Sequence, residues 1–233
     1  MYLESIPHDK DLLIGGVDEA GRGSIIGPLV IAGISIKQER IVDLHQIGVR
    51  DSKMLTAKAR ASLFAIIFEM VDSLCIYKID CNVIDENVFS KGLNKLEGQA
   101  MAHVIDNIKA DKVYVDSCDV NPLRYKSYIE SRLLTSKSKL YSMHHADKLN
   151  IVVSAASIIA KIVRDGEIQK IRKTHCNIGS GYPSDEKTMR FIRNWVSEYK
   201  CAPQFARKSW RPLRDMLQEV SNYEITQFNL DDR

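Results

Sequence analysis

An α/β fold with a helical C-terminal part follows from three features of the 233-residue sequence. Short β-rich apolar runs alternate with helical patterns in the first half, and helical patterns prevail in the second. Apolar residues make up 45% and charged residues 27%, ordinary globular usage with ample material for a core. The first two runs, 13–17 and 29–36, are joined by the glycine-rich DEAGRGSIIGP and read as two strands linked by a structured loop. Thr56 caps a helix running to about residue 72, with Leu63, Ile66, Ile67 and Met70 on one face. Residues 74–79 form a third strand, 94–110 a helix, and 112–116 (KVYVD) a compact strand that stops at an acid. Pro122 suits the first turn of a helix over 123–134, and 140–143 is one more short strand. A long helix spans 147–172, with the small residues Ala155, Ala156 and Ala160 suited to close packing and Asp147 as its cap. Ser184 caps a helix ending near residue 200, and 211–220 is the last helix.

Several classes are excluded. The longest apolar stretch, IVVSAASIIAKIV at 151–163, falls short of the roughly 18 uninterrupted apolar residues of a membrane helix. The opening MYLESIPHDKD has no basic-then-apolar run, the pattern expected of a cytoplasmic protein. Five cysteines, at 75, 81, 118, 176 and 201, with no C-x-x-C pair, read as reduced thiols. The net charge of +3 hides an asymmetry. Residues 1–120 carry 13 basic against 18 acidic side chains, 121–214 carry 19 against 7, and 215–233 carry 1 against 5. An acidic first half and a basic block suit a protein that places carboxylates near a metal and offers a cationic face to nucleic acid, although a solvated lysine-rich surface reads the same way.

Asp18, Glu19, Asp116 and Asp147 stand out because each lies where a strand or helix ends beside turn residues. Neighbouring side chains on a strand point to opposite faces, so Asp18 and Glu19 share one site only if the strand breaks there, a break that AGRG supplies. Hard cations such as Mg²⁺ prefer oxygen ligands, and two ions about 4 Å apart are the known device for in-line attack of water on a phosphodiester. Taken singly, Asp116 is as well explained as a turn former and Asp147 as a helix cap.

The order of the motifs is more specific. GVDEAGRG at 16–23, DSK at 51–53, VYVDSCD at 113–119, HADKLNIVVSAASIIAKIVRD at 145–165 and GSGYPSD at 179–185 resemble type 2 ribonuclease H (ribonuclease HII) over about residues 13–214. GSGYPSD and FARKSW at 205–210 look closer to the archaeal and eukaryotic branch. The resemblance implies a ribonuclease H-like mixed sheet flanked by helices. It further implies a catalytic core at 1–173, a helical substrate-binding part at 174–220 and a flexible or partner-docking tail at 221–233. Asp18, Glu19, Asp116 and Asp147 match the family's metal-binding acids, which would hold one or two Mg²⁺ or Mn²⁺ ions with no organic cofactor. The implied substrates are RNA/DNA hybrids and DNA carrying single ribonucleotides, cut on the 5′ side to leave 3′-hydroxyl and 5′-phosphate ends. Gly21, Arg22 and Gly23 match the loop that contacts the ribonucleotide, Tyr182 the ring that stacks on its ribose, and Lys53 fits a phosphate contact.

The tail carries a weak sliding-clamp pattern near Gln227 and Phe228, and a monomer is expected. His144 and His145 are set aside, since imidazole is a poor ligand for Mg²⁺. His145 departs from a lysine common in the family, which predicts a weaker, pH-dependent backbone contact. Arg207, Lys208 and Trp210 read either as a phosphate-tracking strip with an aromatic platform or as a basic helix start with Trp210 in the core. A different nuclease of the same fold and a hybrid-binding module that does not cleave are the functional alternatives.

Overall fold

Five strands form one mixed sheet in the order β3-β2-β1-β4-β5: β1 (Leu13–Ala20), β2 (Leu29–Lys37), β3 (Ser73–Ile79), β4 (Lys112–Asp116) and β5 (Lys139–Met143). The structure, a computed structural model, describes residues 11–49, 56–90 and 92–231, without the side chains of 57 and 223–231. The helices are α1 (Ile41–Gln46), α2 (Ala57–Met70), α3 (Cys81–Phe89), α4 (Leu93–Asn107), α5 (Pro122–Glu130), α6 (Ala146–Leu149), α7 (Ile151–Thr174), α8 (Glu186–Tyr199) and α9 (Arg211–Asp231). The chain divides into two compact units. One comprises the chain up to Glu19 with 31–77 and 97–162, and the other comprises 20–30, 78–96 and 163 onward.

The first unit is organised by the sheet. β1, β4 and β5 run parallel, with Val17 opposite Val115 and Asp116 opposite Met143. The central strands β1 and β2 are buried along most of their length and read as near-continuous apolar runs rather than alternating ones. A Cβ on Gly16 would lie 2.5 Å from the Val152 carbonyl carbon, and one on Gly33 would lie 2.4 Å from Val104 Cγ1. The backbone of α7 thus rests directly on β1, and α4 presses on β2 equally closely. Ala155, Ala156 and Ala160, all fully buried, extend this approach along α7.

The second unit has its own core of Ile25, Ile26, Ile168, Ile178, Met189, Ile192, Val196, Ala206 and Leu213. Its loops are held by backbone bonds: Ile25 and Ile26 N–H both donate to the Gly181 carbonyl at 2.8 and 3.1 Å, and Gly27 N–H donates to that of Phe205 at 2.9 Å. His175, Phe191, Trp195 and Phe205 form an aromatic cluster beside this core, with His175 and Phe205 centroids 4.9 Å apart.

Several local expectations hold. Thr56 caps α2 through Ala59 N–H at 3.1 Å, and Asn121 caps α5 just before Pro122. Others are corrected. The helix expected over 147–172 is interrupted at Asn150, whose Oδ1 accepts Val152 N–H at 2.9 Å and starts α7 afresh. Asp147 therefore sits inside the short α6, three residues before the Asn150 that starts α7. Asp185, not Ser184, caps α8 by accepting Lys187 N–H at 3.0 Å. β1 does not break at Asp18 but continues to Ala20, and the chain turns at Gly21, whose φ is 87°. α1 and α3 carry no periodic pattern that announces them, and α9 continues to Asp231, past the end of its apolar pattern. Lys53 lies outside the described residues. All five cysteines are free, and no helix among the described residues is long and apolar enough to cross a membrane.

Two glycines test this packing in opposite directions. Gly16→Ala forces a methyl into backbone, and overpacking of this kind costs about 1–3 kcal/mol or more. Gly166 is exposed within α7 with nothing within 4 Å of an added Cβ, so Gly166→Ala should stabilise by about 0.5–1 kcal/mol. Urea denaturation midpoints that move down for the first variant and up for the second are the expected outcome.

Candidate active site

Parallel pairing sets the geometry of the acids. Because Val17 faces Val115, the next residues along the two strands, Asp18 and Asp116, reach the C-terminal edge of the sheet side by side. Ligands of open α/β sheets bind at this edge, where carboxyl ends of neighbouring strands converge. Asp18, Glu19 and Asp116 each offer a carboxylate oxygen lying within 4.8 Å of the other two. The broken strand expected from the sequence is not what unites Asp18 and Glu19, since both lie within β1.

The three aspartates are anchored. Asp18 is 4% exposed, and its Oδ1 accepts Glu19 N–H at 2.8 Å. Asp116 Oδ1 accepts Ala146 N–H at 2.7 Å, tying the end of β4 to the start of α6. That bond delivers Asp147, itself 3% exposed, and the Ser154 hydroxyl from α7 donates to the Asp147 carbonyl. His145 precedes α6 in a left-handed conformation at φ 57°, and both it and His144 are exposed and outside the acid cluster.

The electrostatics of this cluster are unfavourable as it stands. Burial raises the Asp18 carboxyl to about 7, and the charges of Asp116 and Asp147 push in the same direction against hydrogen bonds from Ser157 and Glu19 N–H. Glu19 is raised well above the carboxylate range, again by burial first, then by Glu97, Asp18 and Asp116. Its Oε2 is buried with no hydrogen-bond partner among the described residues. Carboxylates gathered this closely, one with an orphaned buried oxygen, form a donor set that fits a divalent metal held by oxygen ligands.

Glu97 is the acid that sequence reasoning missed. It is fully buried in α4 on the face that also buries Ala100, Met101 and Val104. A charged residue in phase with an apolar stripe was the available signal, since buried charges persist only for a reason.

The second unit holds Gly21, Arg22, Gly23 and Tyr182. A Cβ at Gly21 would meet the Pro28 carbonyl at 2.8 Å and Arg164 Cγ at 3.2 Å, so steric crowding as well as the positive φ demands glycine. Gly23 differs: it is exposed, with nothing within 4 Å of an added Cβ. Arg22 directs its guanidinium to Asn94 Oδ1 at 2.7 Å. The Tyr182 ring carries the Arg164 guanidinium 4.4 Å from its centroid, and Arg164 also donates to the Ser180 carbonyl at 2.7 Å. Asp185 stiffens the same turn by accepting Ser180 N–H at 2.6 Å, and that bond holds its carboxyl below the usual range. Arg207 is no surface phosphate contact, because it is completely buried, while Trp210 immediately precedes α9 and packs on the second unit's core.

Comparison with known proteins agrees with these features. The profile of the family described as Ribonuclease HII matches residues 15–212. The ribonuclease HII of Cenarchaeum symbiosum is 48% identical over 203 residues, 87% of this chain and 97% of that protein. That of Pyrococcus furiosus is 40% identical, covering 94% and 96%. Among solved structures, the ribonuclease H2 of Pyrococcus horikoshii OT3 superposes with a TM-score of 0.84 at 37% identity, covering 90% of this chain and 99% of that one. The Archaeoglobus fulgidus PCNA:RNase HII complex gives 0.79 at 33% identity, covering 86% and 96%. Matched over most of its length by the family profile and by archaeal relatives, and carrying an acid cluster at the C-terminal sheet edge, the chain belongs to the ribonuclease HII family of ribonuclease H endonucleases.

Proposed function

We propose that this chain hydrolyses the RNA strand of RNA/DNA hybrids and cuts 5′ to ribonucleotides embedded in duplex DNA, leaving 3′-hydroxyl and 5′-phosphate ends. The observation that carries this reading is the acid cluster, with three carboxylate oxygens mutually within 4.8 Å and a buried oxygen of Glu19 lacking a hydrogen-bond partner. Asp18, Glu19 and Asp116 would hold one or two Mg²⁺ or Mn²⁺ ions, with Asp147 beside them. When bound, such ions supply the positive charge that makes a water nucleophilic and steadies the leaving 3′ oxygen. The chain's own part is to keep these carboxylates desolvated and oriented. The Ala146 N–H bond fixes Asp116, and the Glu19 N–H and Ser157 bonds fix Asp18.

Recognition of the ribonucleotide is assigned to Gly21, Arg22, Gly23 and Tyr182. Gly21 shapes the loop, and the open Gly23 lets a ligand approach the backbone closely. Arg164 covers one face of the Tyr182 ring, so stacking on a ribose uses the other, with the hydroxyl sensing the 2′-OH. Lys53 is assigned a phosphate contact. The reading includes a cytoplasmic monomer and a sliding clamp docking near Gln227 and Phe228, which the complex formed by the Archaeoglobus fulgidus neighbour supports.

The decisive experiment compares a labelled duplex bearing one ribonucleotide with its all-DNA twin and a full hybrid, in Mg²⁺, Mn²⁺ or chelator. Metal-dependent cutting 5′ to the ribonucleotide with the twin intact is expected, and cutting of the twin would point to a different nuclease. Asp116→Asn should lower kcat by about a hundredfold or more, because it removes an anionic oxygen that would hold the divalent ion. Tyr182→Phe should reduce single-ribonucleotide cleavage several-fold, the worth of about one hydrogen bond, with metal affinity unchanged by calorimetry.

The raised carboxyl of Asp18 also predicts a pH effect. An acid whose folded pKa of about 7 exceeds its ordinary value of 3.8 binds more protons folded than unfolded, so its ionisation destabilises the fold progressively as pH rises from about 4 to about 7. In chelator, the stability of the wild type relative to Asp18→Asn should fall across this window. Saturating Mg²⁺ should flatten the difference, as followed by thermal denaturation.

A further inference from the structure

We propose that Arg207 is a positioning residue that sets the backbone of the Gly21–Gly23 loop for its ligand, an inference that rests on the reading of that loop as the ribonucleotide contact. Arg207 is among the largest side chains with no exposure at all. Burying a guanidinium costs several kcal/mol unless its donors are met, and among the described residues no carboxylate pairs with it. Its side-chain hydrogen bonds go mainly to carbonyl oxygens of one segment, with the Cys81 side chain as a further partner. Nη2 donates to Gly21 at 2.7 Å and to Gly27 at 2.9 Å, Nη1 to Arg22 at 2.8 Å, and Nε to Gly27 at 3.1 Å. The Trp210 ring lies 4.8 Å from the guanidinium carbon, and Trp210 Nε1 reaches the Gly23 carbonyl at 3.4 Å.

This arrangement has a directional consequence. Across a planar trans peptide the carbonyl and the following N–H point in opposite directions. Turning the Gly21 and Arg22 carbonyls onto Arg207 therefore turns the N–H groups of Arg22 and Gly23 away from it. Gly23 is exposed, and an added Cβ there would meet nothing within 4 Å, so the loop surface is open at that point. A row of outward N–H groups backed by a buried cation suits the oxygens of a ribose or phosphate. Only a planar fork with five donors can hold several carbonyls in one plane, and a lysine ammonium cannot reproduce it. Burial, together with neighbouring Arg164, lowers the Arg207 pKa to about 10, which leaves the group charged at neutral pH. Arg164 performs the corresponding task at Tyr182, so both ligand-facing parts of the second unit are backed by buried guanidinium groups.

The test reads binding apart from cleavage. Affinities of the full-length protein for a single-ribonucleotide duplex and its all-DNA twin are measured by fluorescence anisotropy in chelator, so the acid cluster plays no part. Arg207→Lys is expected to reduce the ratio of the two affinities at least fivefold, and in Mg²⁺ to raise KM with kcat within threefold of wild type. Trp210→Leu, which removes the stacking ring and the Gly23 bond, keeps the test alive if Arg207→Lys does not fold, and should lower the ratio about twofold. Ile192→Val, in the core of the same unit, should lower Tm and leave the ratio alone. A wild-type ratio in Arg207→Lys and Trp210→Leu overturns the role of Arg207 alone, as does an equal loss in Ile192→Val. A wild type that binds both duplexes alike overturns the reading of the loop and the role of Arg207 with it.

Discussion

Repulsion among buried carboxylates at the C-terminal edge of the sheet is the constraint around which the first unit is arranged. Asp116 opposes the ionisation of both Asp18 and Glu19, and Glu97 that of Glu19, on top of the cost of burial. Such a cluster survives only if the scaffold is stiff enough to hold it against its own field. The stiffness comes from β1 and β4 in parallel register, from Gly16 admitting the α7 backbone to contact, and from the Asp116 bond to Ala146 N–H. Each device is an ordinary packing feature, and together they place three carboxylate oxygens where one cation can satisfy all of them.

The second unit answers the opposite problem. Its buried charges include the cations Arg164 and Arg207 as well as the carboxylate of Asp85, and Arg207 is matched by backbone carbonyls instead of acids. A carboxylate partner would neutralise the field locally, whereas carbonyl dipoles satisfy the donors and leave net positive charge beneath the loop. An acidic first half that gathers the carboxylate cluster and a basic later segment that supplies the buried guanidinium groups of the second unit are the structural counterparts of the charge asymmetry along the chain.

Much of the site was legible because its chemistry leaves local marks. GVDEAGRG places two acids at a strand end before a glycine turn, and KVYVD ends a β-rich run on an acid. Thr56 and Pro122 announce helix starts through capping chemistry that depends on a few neighbouring residues. What escaped has no such mark. Asn150 ends one helix and starts another inside a stretch that reads as one continuous helix, so the pattern runs straight across the break. Arg207 lies in a basic, polar-looking FARKSW, and its total burial depends on carbonyls about 180 residues earlier in the chain. Glu97 looks like a misplaced charge on an apolar stripe until the fold brings it against Glu19.

The sequence by itself determined which residue types could act: acids at the ends of β-rich runs, glycines at the loop, a tyrosine in a glycine-proline turn, and the motif order that marks the family. Those depend on short-range chemistry, so a linear reading recovers them. Tertiary structure alone decided which acids share an edge, that Asp147 rides on α6 instead of capping α7, that Gly21 is required by crowding while Gly23 is open, and that Arg207 faces inward. These are properties of strand register and close packing, in which residues far apart in the chain set each other's solvation and charge.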